Sequence, residues 1–152
     1  MRTWLLLLLS FSIELSAQIP KLTFEYISNR EGLPSNDVCW ATEDDKGFLW
    51  IGTRRCLARY DGYAFKQFGF TKTHSVVADS NLIYFTEESF QLKVLDINNL
   101  SYRPLIGEKD GGGYTVFLDT KGRVWLSDRD GIICYHPKTG KHKKYPLKST
   151  TF

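Results

Sequence analysis

The feature that most constrains this chain is an internal repeat. The segment Asp44-Asp45-Lys46-Gly47-Phe48-Leu49-Trp50-Ile51 returns as Asp119-Thr120-Lys121-Gly122-Arg123-Val124-Trp125-Leu126. Asp, Lys, Gly and Trp recur at the same internal spacing, and a Tyr follows ten residues after each Trp, as Tyr60 and Tyr135. The copies lie 75 residues apart, too long for one small β-unit and about right for two. A degenerate copy, Asp79-Ser80-Asn81-Leu82-Ile83-Tyr84-Phe85, fills the gap with Tyr84 in the place of Trp. The steps are 34 residues from Trp50 to Tyr84 and 41 from Tyr84 to Trp125. Periods of that order built from short strands indicate propeller blades. Helical repeats of similar period need apolar residues at i, i+3, i+4 and i+7, and no such stretch follows the N-terminal segment.

The expected fold is therefore all-β: a partial β-propeller of about three four-stranded blades over 18–152. The blades are expected at about 38–68, 75–105 and 113–147. In the first, the strands are Val38–Glu43, Phe48–Thr53, Leu57–Tyr60 and Ala64–Phe68. Asp44-Asp45-Lys46-Gly47 joins the first two, with Gly47 at positive φ and a carboxylate bonding the turn amides. Asp61-Gly62, Lys121-Gly122 and Thr139-Gly140 mark further turns by the same logic. Each Trp sits mid-strand among apolar neighbours, which suits packing between two sheets better than ligand stacking. Leu22–Ile27 reads as an orphan outer strand. Three blades and one strand do not close a ring, which needs at least about four. The expectation is an N-terminal part of a longer protein.

The first residues carry an export signal. Arg2 is a positive n-region, Trp4 to Ile13 a short apolar core, and Leu15-Ser16-Ala17 a small-residue edge, so 1–17 is expected to be a cleaved signal peptide. A run of about ten apolar residues is too short to span a bilayer. The net charge of +3, from 20 basic and 17 acidic residues, is too mild to argue for direct nucleic-acid binding. Cys39, Cys56 and Cys134 form no CxxC pair and no zinc-type spacing with His74, His136 or His142. They read as small, buried, inert side chains on strands, rather than a disulfide or a metal site.

Little in the chain suggests catalysis. Asp44-Asp45 and Glu87-Glu88 are adjacent carboxylates, which point to opposite faces of a strand and read as turn and surface residues. Asp110-Gly111-Gly112-Gly113 lacks the Lys-Ser/Thr and helix of a phosphate loop and reads as a flexible connection between blades. The basic run Lys138, Lys141, His142, Lys143, Lys144 and Lys148 reads as a solvated outer strand whose lysines guard an exposed edge. Catalytic residues, metal ligands and cofactors are all expected to be none, and individual ligand-binding residues are not readable. Loops joining successive blades are the candidate binding region: Asn29–Asn36, Gly69–His74 and Gly107–Gly113.

Two phrases carry a family resemblance. They are Glu31-Gly32-Leu33-Pro34-Ser35-Asn36-Asp37-Val38 and Asp44 to Thr53, the latter followed by Leu57-Ala58-Arg59-Tyr60-Asp61-Gly62 and Phe65. Together they resemble the opening blade of two-component regulator propellers, with Cys56 where the family usually has Gly. The third copy keeps Gly131 at that position. The resemblance implies the periplasmic sensor region of a hybrid two-component histidine kinase, whose full-length relatives are anchored in the inner membrane. It implies a glycan or oligosaccharide ligand, further blades and signalling domains as partners, and no catalysis in this segment. A dimer is compatible with it. A protein-interaction propeller and a propeller glycosidase or lyase remain the alternatives, because propellers host all three functions.

Overall fold

The computed structural model of the protein describes residues 22–106 and 112–147. Within them are twelve strands and one turn of 3-10 helix, Asn29–Glu31. The strands form three four-stranded antiparallel sheets, each in simple sequential order. Blade 1 is β1 (Val38–Glu43), β2 (Leu49–Thr53), β3 (Leu57–Tyr60) and β4 (Phe65–Phe68). Blade 2 is β5 (Thr73–Asp79), β6 (Leu82–Glu87), β7 (Leu92–Asp96) and β8 (Tyr102–Pro104). Blade 3 is β9 (Val116–Leu118), β10 (Val124–Asp128), β11 (Gly131–His136) and β12 (Lys141–Pro146). The first strands of neighbouring blades lie against one another, β1 on β5 and β5 on β9, which makes them the inner strands of a propeller arc.

Each gap between blades holds its own core. Between blades 1 and 2, Trp50, Leu57 and Phe68 meet Val76, Ile83, Phe85 and Leu95. Between blades 2 and 3, Tyr84, Leu92 and Val94 meet Val116, Val124, Leu126 and Ile133. The alternation of side chains along a strand produces this division, sending successive residues to opposite neighbours. Trp50 and Tyr84 both turn toward the following blade, so Tyr84 occupies the Trp position of the repeat.

The repeated Asp has two jobs, of which the sequence shows one. Asp44 Oδ1 accepts from the Lys46 and Phe48 amides at 2.9 and 3.1 Å. Its Oδ2 accepts from the Trp50 indole Nε1 at 2.8 Å. Asp119 repeats the pattern with the Lys121 and Arg123 amides and with Trp125 Nε1, the last at 2.8 Å. The spacing of six residues thus ties a turn to the ring that fills the gap behind it. Gly47 and Gly122 take φ of +82° and +69° in these turns.

Four expectations change. Leu22–Ile27 forms no strand, and Leu22, Phe24 and Tyr26 are exposed, because no sheet among the described residues pairs an edge with this segment. Cys39 is exposed on β1, although Cys56 and Cys134 are buried; all three are free thiols. Cys56 lies in the β2–β3 turn, not on a strand, and shows no positive φ. At the matching position, a Cβ on Gly131 would come within 2.1 Å of the Tyr145 carbonyl, so Gly is needed there for space. In blade 1 the outer strand stops pairing at Leu57–Phe68, one residue short of Cys56, so a side chain fits. Glu87 is buried and paired with Lys93, not at the surface. The signal peptide 1–17, residues 107–111 of the glycine-rich connection and Lys148 lie outside the described residues.

Candidate functional site

Antiparallel order places the blade-connecting loops and the second-to-third strand turns on one edge of the arc. At that edge, between blades 2 and 3, lies a cleft of about 830 Å³, within the usual range for small-molecule sites. Its walls come from the β6–β7 turn (Ser89, Phe90, Gln91), the connection into blade 3 (Gly112, Gly113, Tyr114) and the end of β10 with its turn (Ser127 to Asp130). Lys144 of β12 completes it.

The cleft has an aromatic side. Phe90 and Tyr114 meet edge to face at 4.5 Å between ring centroids. His74, at the start of β5, stacks on Phe90 at 5.3 Å and meets Tyr114 edge-on at 5.1 Å. Tyr114 remains 61% exposed, so its ring is available to a ligand. The buried His74 Nε2 has no hydrogen-bond partner among the described residues. Burial first, then the Lys72 charge, holds the His74 pKa below its ordinary value. The imidazole is thus kept neutral as a member of the aromatic wall.

The other side is polar. The Lys144 ammonium pairs with the Asp128 carboxylate. The pair lowers the Asp128 pKa and raises that of Lys144, chiefly through the hydrogen bond between them. Ser127 Oγ accepts from the Thr115 amide at 3.1 Å, and Ser89 Oγ bonds Glu87. Arg129 and Asp130 add one charge of each sign. Aromatic faces beside balanced charges and hydroxyls suit a polar ligand with apolar C–H faces.

The glycines here are packed rather than loose. Gly113 donates to the Phe90 carbonyl at 2.9 Å. A Cβ on Gly113 would fall 1.4 Å from the Ser127 carbonyl oxygen, and one on Gly112 would fall 2.5 Å from that of Phe90. The expectation of a flexible connection is corrected for these two residues, which clamp blade 3 to the β6–β7 turn.

Of the three candidate loops, Gly69–His74 contributes His74, and Gly107–Gly113 contributes its last two residues. Asn29–Asn36 does not reach the cleft. Its Ser28–Glu31 capping box and Asn36 side chain instead brace one another. Phe90, Asp128 and Lys144 were not singled out as site residues from sequence. The structure alone marks Phe90, as a non-glycine residue in a turn where φ is +59°, a conformation that side chains seldom adopt. Among the described residues no group of three or more His, Cys, Asp or Glu is placed to hold a metal ion. No helix among them is long and apolar enough to cross a membrane.

Four-stranded antiparallel sheets packed face to face around their first strands, with a cleft at the connection edge, define a β-propeller. Residues 32–55 match the family model described as two component regulator propeller, so the first blade carries that family's repeat. The structure is similar to the extracellular domain of a B. thetaiotaomicron protein described as a hybrid two component system, with TM-score 0.69 and 20% identity. That match covers 80% of this chain and 20% of the other, so the chain spans about a fifth of that domain. It is also similar to virginiamycin B lyase from Staphylococcus aureus, with TM-score 0.62 and 16% identity, covering 74% of this chain and 42% of the other. At these identities both likenesses are likenesses of fold. No curated protein matches the chain.

Proposed function

We propose that this chain is an extracytoplasmic ligand-sensing propeller segment of a two-component signalling protein, that its ligand is a carbohydrate, and that the segment itself performs no catalysis. The family repeat in blade 1 supports the signalling context. The cleft between blades 2 and 3 supports the ligand class. An exposed Tyr114 ring backed by Phe90 and His74 offers a stacking surface for the C–H face of a pyranose. The Asp128–Lys144 pair and Arg129 opposite it offer donors and acceptors for hydroxyls. Signal peptide, periplasmic location and downstream signalling domains belong to this proposal as well.

The test is isothermal titration of the chain with a panel of neutral and uronate-containing oligosaccharides. At least one should bind, and Tyr114→Ala should weaken it about tenfold, or about 1.4 kcal/mol, while leaving the melting temperature within a few degrees. Binding that Tyr114→Ala does not alter would remove this cleft as the site.

The lyase likeness carries the second reading, since an enzyme has been built on a similar arc. Turnover of any glycan in that panel by the purified chain, lost in Asp128→Asn, would favour it.

A further inference from the structure

The middle copy of the repeat carries Tyr84 in the Trp position, and the gap that Tyr84 faces differs from the gap before it. Between blades 1 and 2, Trp50 shares the core with Leu95. Between blades 2 and 3, strand register puts Tyr84 and Tyr135 in those two places. Two phenols thus replace an indole and an aliphatic chain, and both are buried, 1% and 4% exposed. Beside them lies a second cavity, of about 230 Å³. It is formed by the start of β6, the end of β7, the start of β8 and the end of β11, at the edge opposite the cleft. Its volume is below the roughly 300 Å³ at which drug-sized sites begin, so it suits a ligand of few heavy atoms.

Strand pairing lays out the forward face of blade 2, the face turned toward blade 3, in rows. Tyr84, Val94 and Arg103 form one row across β6, β7 and β8, and Leu82 and Asp96 form the next. The rows lie about 7 Å apart along the strands. All five residues line the cavity, with Tyr135 across the gap. Burial first, then Asp79 and Tyr135, raise the Tyr84 pKa to about 12, with the Arg103 charge opposing them. The phenol therefore keeps its proton at neutral pH and can donate. Tyr135 and Arg103 both stand on the cavity walls, so their action on the Tyr84 hydroxyl places it on that side of the ring.

The walls carry one charge of each sign. Arg103 is exposed and Asp96 is half-buried. Asp96 Oδ1 accepts from the Asn98 amide at 2.9 Å, which fixes the carboxylate in place. Among the described residues no ion pair joins Arg103 to Asp96. Leu82, Val94 and Leu105 supply an apolar wall.

We infer that this cavity binds a free α-amino acid with a small aliphatic side chain. The ligand's carboxylate meets the Arg103 guanidinium and the Tyr84 hydroxyl, its ammonium meets Asp96, and its side chain packs on Leu82, Val94 and Leu105. A simple carboxylate would leave Asp96 without a cation, and a simple amine would leave Arg103 without an anion. A zwitterion satisfies both. The cavity lies in a gap between two blades of this chain and is independent of the cleft and its carbohydrate.

Titration of the isotope-labelled chain with L-valine, isovalerate and isobutylamine, followed by amide NMR shifts, tests the inference. The last two compounds are valine without its ammonium and valine without its carboxylate. L-Valine should bind, with shifts centred on Tyr84, Asp96 and Arg103, and each analogue should bind at least about tenfold more weakly, or about 1.4 kcal/mol. Arg103→Gln and Asp96→Asn should each weaken L-valine by a similar factor, and the Asn keeps an acceptor for the Asn98 amide. Tyr84→Trp, which restores the residue of blades 1 and 3, should fill the cavity and abolish binding. Absence of L-valine binding at millimolar concentration overturns the inference. So does isovalerate or isobutylamine binding as tightly as L-valine, since the cavity would then read a single charge. L-Valine binding that Arg103→Gln and Asp96→Asn both leave unchanged overturns it by placing the amino acid elsewhere. The comparison of the three compounds on the wild type decides the question even where Tyr84→Trp fails to fold.

Discussion

Blades 1 and 2 solve the same packing problem by different means. Blade 1 has a five-residue hairpin between Glu43 and Leu49, whose Asp44 bonds both the turn amides and the Trp50 indole. Blade 2 has only Ser80 and Asn81 between Asp79 and Leu82, with Ser80 at φ +55°. Asp79 there has no ring to hold. Its neighbour Tyr84 fills the forward gap instead, 1% exposed, with burial raising its pKa to about 12. Blade 2 is also flanked on both sides. The Asp–Trp tie is thus present in blades 1 and 3 and absent from blade 2, where the motif is weakest in sequence and the Tyr84 ring is held by its packing.

The largest predicted effect tests whether the forward ring matters equally with and without the tie. Trp50→Ala and Tyr84→Ala should each cost about 3–5 kcal/mol, the usual loss for a fully buried large aromatic. Trp125→Ala, whose ring is only partly buried, should cost less than half as much. Urea unfolding with m-values checks all three.

The turn carboxylates sharpen the contrast. Asp44→Ala leaves two amides and an indole without their acceptor and should cost about 2–3 kcal/mol. Asp79→Ala, in the short hairpin, should cost under about 1 kcal/mol. Equal losses would show that the tie to Trp50 adds nothing.

Acid titration separates blade 3 from blade 2. The Asp119 pKa lies below the ordinary carboxylate value, mainly because the Trp125 indole donates to it. A carboxylate with a depressed folded pKa stabilises above its unfolded pKa, about 3.9, and loses that contribution as pH falls through the folded value. Asp119→Asn should therefore flatten the stability profile below about pH 4. Thermal melts from pH 2 to 6 measure this.

The smallest effect concerns the cleft. His74 has a folded pKa below its unfolded value of about 6.5. The unfolded chain then binds more protons, so stability falls as pH drops from about 6.5 toward the folded pKa and levels off below it. His74→Phe should abolish this step and leave the aromatic wall intact. An unchanged step would assign it to another group.

Much of this fold was legible in the sequence, because its determinants are local. Strand alternation, turn chemistry and the repeated Asp-Lys-Gly-Trp spacing placed blade 1 to within a residue at each strand end. The middle copy was found through its spacing, Asp79 and the apolar run holding Tyr84, and the face Tyr84 turns toward bears out its equivalence to Trp. The cleft was legible only as loops. His74, Phe90 and Tyr114 are separated by 16 and 24 residues and meet only because three different connections reach one edge.

The sequence by itself determined that the chain makes four-stranded blades, since period-2 patterning and tight turns depend on neighbours a few residues away. It also carries, at residues 32–55, the match to the two component regulator propeller model. Only the tertiary structure decided that Asp44 and Asp119 hold indoles, that Gly113 is a point of contact and not of freedom, and that Asp128 meets Lys144. Those outcomes depend on which strand edges and loops approach each other in space, and sheet packing sets that approach without leaving a mark in the local sequence.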